Sequence, residues 1–254
     1  MQIKVKSLGQ SGFRFQFGDV IVYTDPYLSD HVAVLEGAEM HRLFPVVVEP
    51  GAVTDANFVL ISHAHLDHCD FSTVLPLAKA SSKCTIVCPN EVAQSLKERG
   101  ISEKRLIAAR EEWITLGEQL RVMSVPAAHT EIERDTDGLL RYVGYVIEYQ
   151  GRRIYHAGDT SPAIALLDRL KQLAPIDTAF LPVNERNFYR EQRGIIGNMS
   201  VREAFQMATD IGVKILVPIH WDMFAPNSVY LEEIELLYRL MQPRFEMKVY
   251  PEVI

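Results

Sequence analysis

The sequence contains only three cysteines, Cys69, Cys84 and Cys88, an odd number with no CxxC spacing, so no disulfides are expected. It has no apolar run approaching membrane-spanning length. Its first residues, Met1-Gln2-Ile3-Lys4-Val5-Lys6, alternate like a strand and lack the apolar core of a signal peptide. It has no block of Lys or Arg, and its formal net charge is −7, which argues against a nucleic-acid-binding surface. A few arginines lining one pocket would still suffice for a small anion. Nothing resembling a linker or a low-complexity stretch divides the chain. These absences leave a cytoplasmic protein with no membrane or nucleic-acid partner, read as a single domain over residues 1–254. Homo-oligomers are compatible with it. A chain this long buries a core without disulfides or a structural metal, so a metal cluster need not exist to hold the fold together.

What is present reads as two similar halves. In the first, Ile3–Leu8, Phe13–Phe17 and Val20–Thr24 are strands, the last two joined by the Gly18-Asp19 turn. Asn57–Ser62 is an apolar run of the buried-strand type. Asn90 is expected to cap a helix over Glu91–Arg99 that Gly100 stops. In the second half the strands are Gln119–Pro126, Tyr142–Glu148, Arg152–Tyr155, Thr178–Pro182 and Lys214–Ile219. Ser200 and Glu203 form a capping box for a helix closed by Gly212, and Tyr230–Met241 is another helix. Strands come early in each half and helices follow, which predicts an α+β protein with two halves packed sheet on sheet. The segment Ser29–Pro50 fits neither pattern. It mixes Val32, Val34, Leu35, Met40, Leu43 and Phe44 with His31 and His41, and reads as a lid, a subunit contact or an irregular surface excursion.

The strongest chemical signal is His63-Ala64-His65-Leu66-Asp67-His68-Cys69-Asp70. Four potential ligands fall within six residues, directly after a buried strand. Residues at i and i+2 of an extended segment point the same way, so His63 and His65 can converge on one ion. The tight turn that follows can swing Asp67 and His68 toward a second. Imidazole and carboxylate suit borderline and hard divalent metals. His129, Asp159 and His220 each follow a predicted strand and supply what a two-metal site still lacks. Cys69 reads as a small packing residue rather than a ligand.

These residues resemble the metallo-β-lactamase superfamily, whose pattern is HxHxDH followed by a distant His, Asp and His. The resemblance implies a four-layer αββα sandwich. It assigns His63, His65 and His129 to one metal, Asp67, His68 and His220 to a second, and Asp159 as the bridge, with zinc or manganese as the two divalent ions. Activated water would then be the nucleophile, with Asp67 orienting or deprotonating it. The longer form ending at Asp70, with Tyr23-Thr24-Asp25-Pro26, Tyr155-His156-Ala157-Gly158-Asp159 and Pro218-Ile219-His220-Trp221-Asp222, looks like the L-ascorbate-6-phosphate lactonase group. That likeness runs from about Leu8 to about Phe224, and the chain is shorter than those lactonases.

Asp25, Asp70, His156 and Asp222 are candidates to orient the ligand imidazoles by accepting their second N–H. For Asp25 and Asp222, turn chemistry is the competing reading. Arg186, Arg190 and Arg193, interleaved with Phe188 and Tyr189, are read either as recognition of a phosphate or carboxylate or as a solvated loop balanced by Glu185 and Glu191. Arg193, Asn198 and Ser200 are the candidate substrate contacts, the start of the Ser200 helix adding backbone N–H donors. The expected activity is hydrolysis of a small anionic ester or lactone. The alternatives are a phosphodiesterase, since a phospholipase D-like branch shares HxHxDHxD, and a non-catalytic metal- or ligand-binding protein. A diiron redox reading is disfavoured, because such proteins carry a carboxylate where this chain has His65.

Overall fold

In the computed structural model, which describes residues 2–254, the chain folds into two mixed sheets. The first contains β1 (Lys4–Gly9), β2 (Gly12–Phe17), β3 (Val20–Thr24), β4 (Phe58–Leu60), β5 (Thr85–Cys88) and β6 (Leu106–Ala108), each beside its neighbour in the chain. The second contains β7 (Ile114–Gly117), β8 (Leu120–Pro126), β9 (Val143–Tyr149), β10 (Arg152–His156), β11 (Thr178–Pro182), β12 (Ile215–Ile219) and β13 (Glu246–Met247), again in chain order. Each sheet begins antiparallel and ends parallel, the change falling at β3 and at β10.

Parallel neighbours need crossover connections, and these carry the helices. In chain order they are α1 (His31–Glu36), α2 (Phe71–Ala80), α3 (Asn90–Glu98), α4 (Ile164–Gln172), α5 (Phe188–Glu191), α6 (Val201–Asp210) and α7 (Leu231–Met241). Strand side chains alternate faces, and the cores follow that alternation. Val22, Leu60 and Val87 of the first sheet meet Ile154, Phe180 and Val217 of the second in a shared central core. There Phe180 packs edge-on against Phe13 at 4.8 Å and Phe15 at 5.3 Å. The next residues along, Ile21, Tyr23, Val59, Ile61 and Ile86, turn outward onto Val74, Leu77, Val92 and Leu96 of α2 and α3. On the far side Ala179, Leu181 and Leu216 turn onto Leu166, Leu170, Phe205 and Ile234 of α4, α6 and α7. The result is the α+β, four-layer αββα sandwich expected from the sequence. Among the described residues no helix is long and apolar enough to cross a membrane.

Two local features differ from expectation. Asn90 does not cap α3: Pro89 holds the cap position without a side-chain bond, and the Asn90 amide contacts Asp135 instead. Helix α2 follows the histidine motif with no clear signal in sequence, because Pro76 interrupts the pattern while Thr73, Val74, Leu77 and Ala78 still form its buried face.

Candidate metal centre

The strands β3 and β4 of one sheet, and β8, β10, β11 and β12 of the other, all deliver their C-terminal ends to one edge of the sandwich. Ligands commonly gather at such strand ends in α/β sheets. After β4 the chain passes through Ile61 and Ser62 into His63. It then turns sharply, with the amides of His68 and Cys69 both donating to His65 O at 3.0 and 2.7 Å. That turn separates the histidines into two sets. The donor atoms of His63, His65 and His129 lie within 4.8 Å of one another, as do those of Asp67, His68 and His220. His63, His68 and Asp159 form a third such group between them.

Asp159 faces both sets. Its Oδ1 is 3.2 Å from His68 Nε2 and 3.3 Å from His220 Nε2, while Oδ2 is 4.0 Å from His129 Nε2. Gly158 permits this approach. It sits at φ +58°, and a Cβ there would lie 2.6 Å from Ser62 Cβ. The seven residues expected at the metals are thus brought together at one place.

The donor set fits a divalent ion. Donors at about 2.1 Å around a tetrahedral ion stand about 3.4 Å apart. Here Asp67 Oδ2 is 3.6 Å from His68 Nε2 and 3.2 Å from His220 Nε2, and the two Asp159 Oδ1 separations match. In addition His63 Nε2 is buried without a hydrogen-bond partner among the described residues, an arrangement that is costly unless something else binds it.

The other imidazole nitrogens are held from behind. Asp25, fully buried, accepts from Ser62 N at 2.7 Å, from Ser62 Oγ at 2.7 Å and from His68 Nδ1 at 2.9 Å. Since Ser62 Oγ gives its proton to Asp25, it accepts from His63 Nδ1 at 2.9 Å. Both rings are thereby oriented with Nε2 toward the cluster. His129 Nδ1 faces Asn198 Oδ1 at 3.2 Å, and a chain of amides continues from Asn198 to Asn184 and from Asn184 to Asn227, each step 3.0 Å.

Protonation divides the two sets. Burial, then the charge of His68, holds His63 well below the ordinary imidazole range, and burial likewise depresses His129. Both are neutral donors. Burial alone would also depress His68 and His220, but Asp159 and Asp67 outweigh it, raising His68 well above its ordinary value and His220 to about 9. Asp67 and Asp159, in spite of burial, are held far below the usual carboxylate range by the same two imidazoles.

Several expected residues serve other purposes. Asp70 orients no ligand: it caps α2 through Ser72 N at 2.9 Å, bonds the Thr73 hydroxyl and faces His31. His156 lies between Phe13 and Phe180, with Nε2 donating to Ser11 O at 2.8 Å and Nδ1 accepting from Gly158 N, so it clasps backbone rather than a ligand. Asp222 accepts from Gln10 N at 3.0 Å and Tyr250 Oη at 2.7 Å, not from an imidazole. Asn198 is buried with its amide spent on His129 and Asn184, so it is not a substrate contact. Ser200 closes a capping box with Glu203, which occupies the helix start, and its side chain does not line the cavity. Arg190 is tied to the carbonyls of Asn184, Glu185 and Ser228, and Arg186 lies 3.5 Å from Glu191. Arg193 alone of the three lines the cavity.

That cavity, of about 950 Å³, opens over the cluster, with His65, Asp67, His129, Asp159 and His220 on its floor. Val32, Glu36, Glu39 and Met40 form one wall, so the 32–40 part of the segment 29–50 borders the site. Residues 193–196 and Phe224 supply other parts of the wall. Sequence reasoning missed Ser62, Asn184 and Gln10. Ser62 is the last residue of the apolar run Asn57–Ser62, and nothing in that run marks it apart from the strand. Gln10 carried no signal in sequence, because Gln10-Ser11 between the paired Gly9 and Gly12 is an ordinary two-residue hairpin connection.

The chain matches the beta-lactamase superfamily domain over residues 21–221. It is 26% identical over 225 residues, 87% of this chain and 86% of the other, to a metal-dependent hydrolase from Alkaliphilus metalliredigens. A metallo hydrolase from the hyperthermophilic archaeon Ignicoccus hospitalis superposes with a TM-score of 0.74 at 18% identity, covering 100% of this chain and 98% of that one. CmlA, a diiron beta-hydroxylase from Streptomyces venezuelae, superposes with a TM-score of 0.71 at 15% identity, covering all of this chain (100%) and 54% of that one. At such identities the two structures establish a shared fold and nothing finer.

Proposed function

Because the chain belongs to the beta-lactamase superfamily, we propose that it is a metal-dependent hydrolase whose substrate is a small anionic ester or lactone. The observation that carries this reading is Asp159, with one carboxylate oxygen toward each of two donor sets on the floor of an open cavity. His63, His65 and His129 would hold one divalent ion, Asp67, His68 and His220 a second, and Asp159 both. Zinc or manganese bound there supplies an acidified water and a Lewis acid for the developing oxyanion.

The chain's own residues do the rest. Asp25 and Ser62 fix the two rings from behind, and Asn198 fixes His129. Asp67 turns Oδ2 toward His220, which leaves Oδ1 to accept a hydrogen bond from the attacking water and so orient it. Arg193 is exposed on the cavity wall and makes no ion pair among the described residues, so its guanidinium is free for a carboxylate or phosphate remote from the scissile bond. Glu36 and Glu39, on the segment before β4, repel an anion and so direct it to the Arg193 side.

The test is to load the protein with zinc or manganese, count ions per chain by elemental analysis, and screen lactones, phosphodiesters and thioesters. Two ions per chain and turnover of an anionic lactone or ester are expected. One ion or none at saturation overturns the dinuclear reading, and turnover of phosphodiesters alone replaces the lactonase-like activity with a phosphodiesterase. On the turned-over anionic substrate, Arg193→Ala should lower kcat/KM roughly ten- to hundredfold, the size of a charged hydrogen bond, and a neutral analogue should lose far less.

A further inference from the structure

Gln10 enters the candidate metal centre from the side opposite the histidine motif. It sits in the turn between β1 and β2, 3% exposed, in the left-handed region at φ 56°. The two-residue hairpin turn itself calls for that conformation. Contacts from the end of β12 then hold both backbone atoms. Gln10 N donates to Asp222 Oδ1 at 3.0 Å, and Gln10 O accepts from His220 N at 3.0 Å. Asp222 is itself braced by Tyr250 Oη at 2.7 Å. The turn is therefore clasped to the end of β12, on the residue that carries His220.

The side chain uses this placement. Its Nε2 donates to Asp67 Oδ2 at 2.7 Å and lies 3.1 Å from His220 Nε2. The carboxylate oxygen it touches is the one that stands 3.2 Å from His220 Nε2 and 3.6 Å from His68 Nε2. An amide has two N–H donors in a fixed plane, so it can fix the direction of a carboxylate without adding charge. Among the described residues Gln10 makes no hydrogen bond to His63, His65 or His129, the other donor set.

We infer that Gln10 is a positioning residue for the second cation position alone, holding Asp67 Oδ2 against His220 so that Asp67, His68 and His220 converge on an ion. This rests on the metal-centre reading above. Substitution should therefore weaken one ion-binding step and spare the other, an asymmetry that a general loss of packing would not produce.

The experiment is calorimetric titration of metal-free protein with zinc chloride, for the unaltered chain, Gln10→Met and Gln10→Ala. Methionine keeps most of the side-chain volume and removes the donor, while alanine also removes the bulk. Unfolding midpoints of the metal-free variants show whether each is folded. In the unaltered chain two steps are expected. In both variants one step should keep its affinity, and the other should weaken about ten- to hundredfold, as when a group holding a metal ligand is lost. Two unchanged steps overturn the inference. So does equal weakening of both steps, which would make Gln10 a packing residue. A tightened step also overturns it, because the amide would then be competing with the cation. If the unaltered chain binds no zinc, the metal-centre reading itself falls, and the Gln10 role with it.

Discussion

The Asp25 carboxylate receives Ser62 N, Ser62 Oγ and His68 Nδ1 at once, and from that position it orients two of the imidazoles. It was identifiable in sequence because it follows a strand and sits in a recognisable tetrapeptide. The same reasoning applied to Asp70, His156 and Asp222 led to a helix cap, a backbone clasp and a turn brace. The ligand candidates were legible because histidine and aspartate crowd one short stretch. Their supporters were not, because a carboxylate at the end of a strand can satisfy any nearby N–H, and sequence does not show which one the fold brings up. Protonation at the site gives a prediction of its own. His220 titrates near 6.5 in an unfolded chain and is raised to about 9 in the fold by Asp159 and Asp67. A raised imidazole contributes stability that is whole below about 6.5 and is lost as pH climbs through about 9. Asp67, lowered from 3.8, contributes stability present above that value and lost as pH falls further. The metal-free protein should accordingly be most stable near pH 6.5: below it the depressed His63 and His129 cost stability as the unfolded chain takes up protons that the fold refuses, and above it the contribution of His220 is lost as pH climbs toward about 9. Urea unfolding midpoints in the presence of chelator measure this. A midpoint that is flat or rising over 6.5 to 9 contradicts the ion-pair account of His220.

The elements that sequence reasoning identified are those with strong local punctuation. The Ser200–Glu203 capping box begins α6 as expected, and Gly212, at φ +71°, follows its end. The elements it did not identify owe their structure to contacts from elsewhere. Helix α1 has six residues and no side-chain cap, and Val32 and Met40 of its segment are buried against nearby Tyr27 and against Met223 and Phe224 from a distant stretch. Helix α2 carries Pro76 in its interior and still forms, because Asp70 satisfies its first turn and Val74, Leu77 and Ala78 bury against the first sheet. The last aspartate of the HxHxDHxD motif therefore belongs to α2 rather than to the cluster. Asp70→Ala should lower stability by about 0.5–2 kcal/mol, the usual range for a lost N-cap. It should leave both zinc-binding steps in place. Chemical denaturation and the zinc titration together check this. Loss of zinc binding without loss of stability would return Asp70 to the metal centre.

At the scale of the whole molecule, the cluster and the fold are energetically separable. Three apolar cores run through the sandwich, one between the sheets and one under each helical layer, and a smaller fourth packs α1 beside the cavity. The three main cores lie away from the metal centre, which sits at the edge where the strands end. A chain with this much buried apolar surface does not need metal in order to fold. Removing the ions from such a site also need not leave bare buried anions. The raised His68 and His220 take up protons in the metal-free protein and stand beside Asp67 and Asp159, so imidazolium replaces cation as the partner of each carboxylate. Chelation should consequently abolish hydrolysis yet leave near-ultraviolet circular dichroism and a cooperative thermal transition intact, with activity restored by added zinc or manganese. The metal-loaded protein should melt higher, stabilised by about 4 kcal/mol for each ion whose free concentration exceeds its Kd a thousandfold. The measurement is best made near pH 6, where both imidazoliums are fully formed. At about pH 9 the replacement fails as His220 loses its proton, and the gap between loaded and metal-free melting temperatures should widen. Collapse of the near-ultraviolet signal on chelation at pH 6 would show that the ions, and not the three cores, hold the sandwich together.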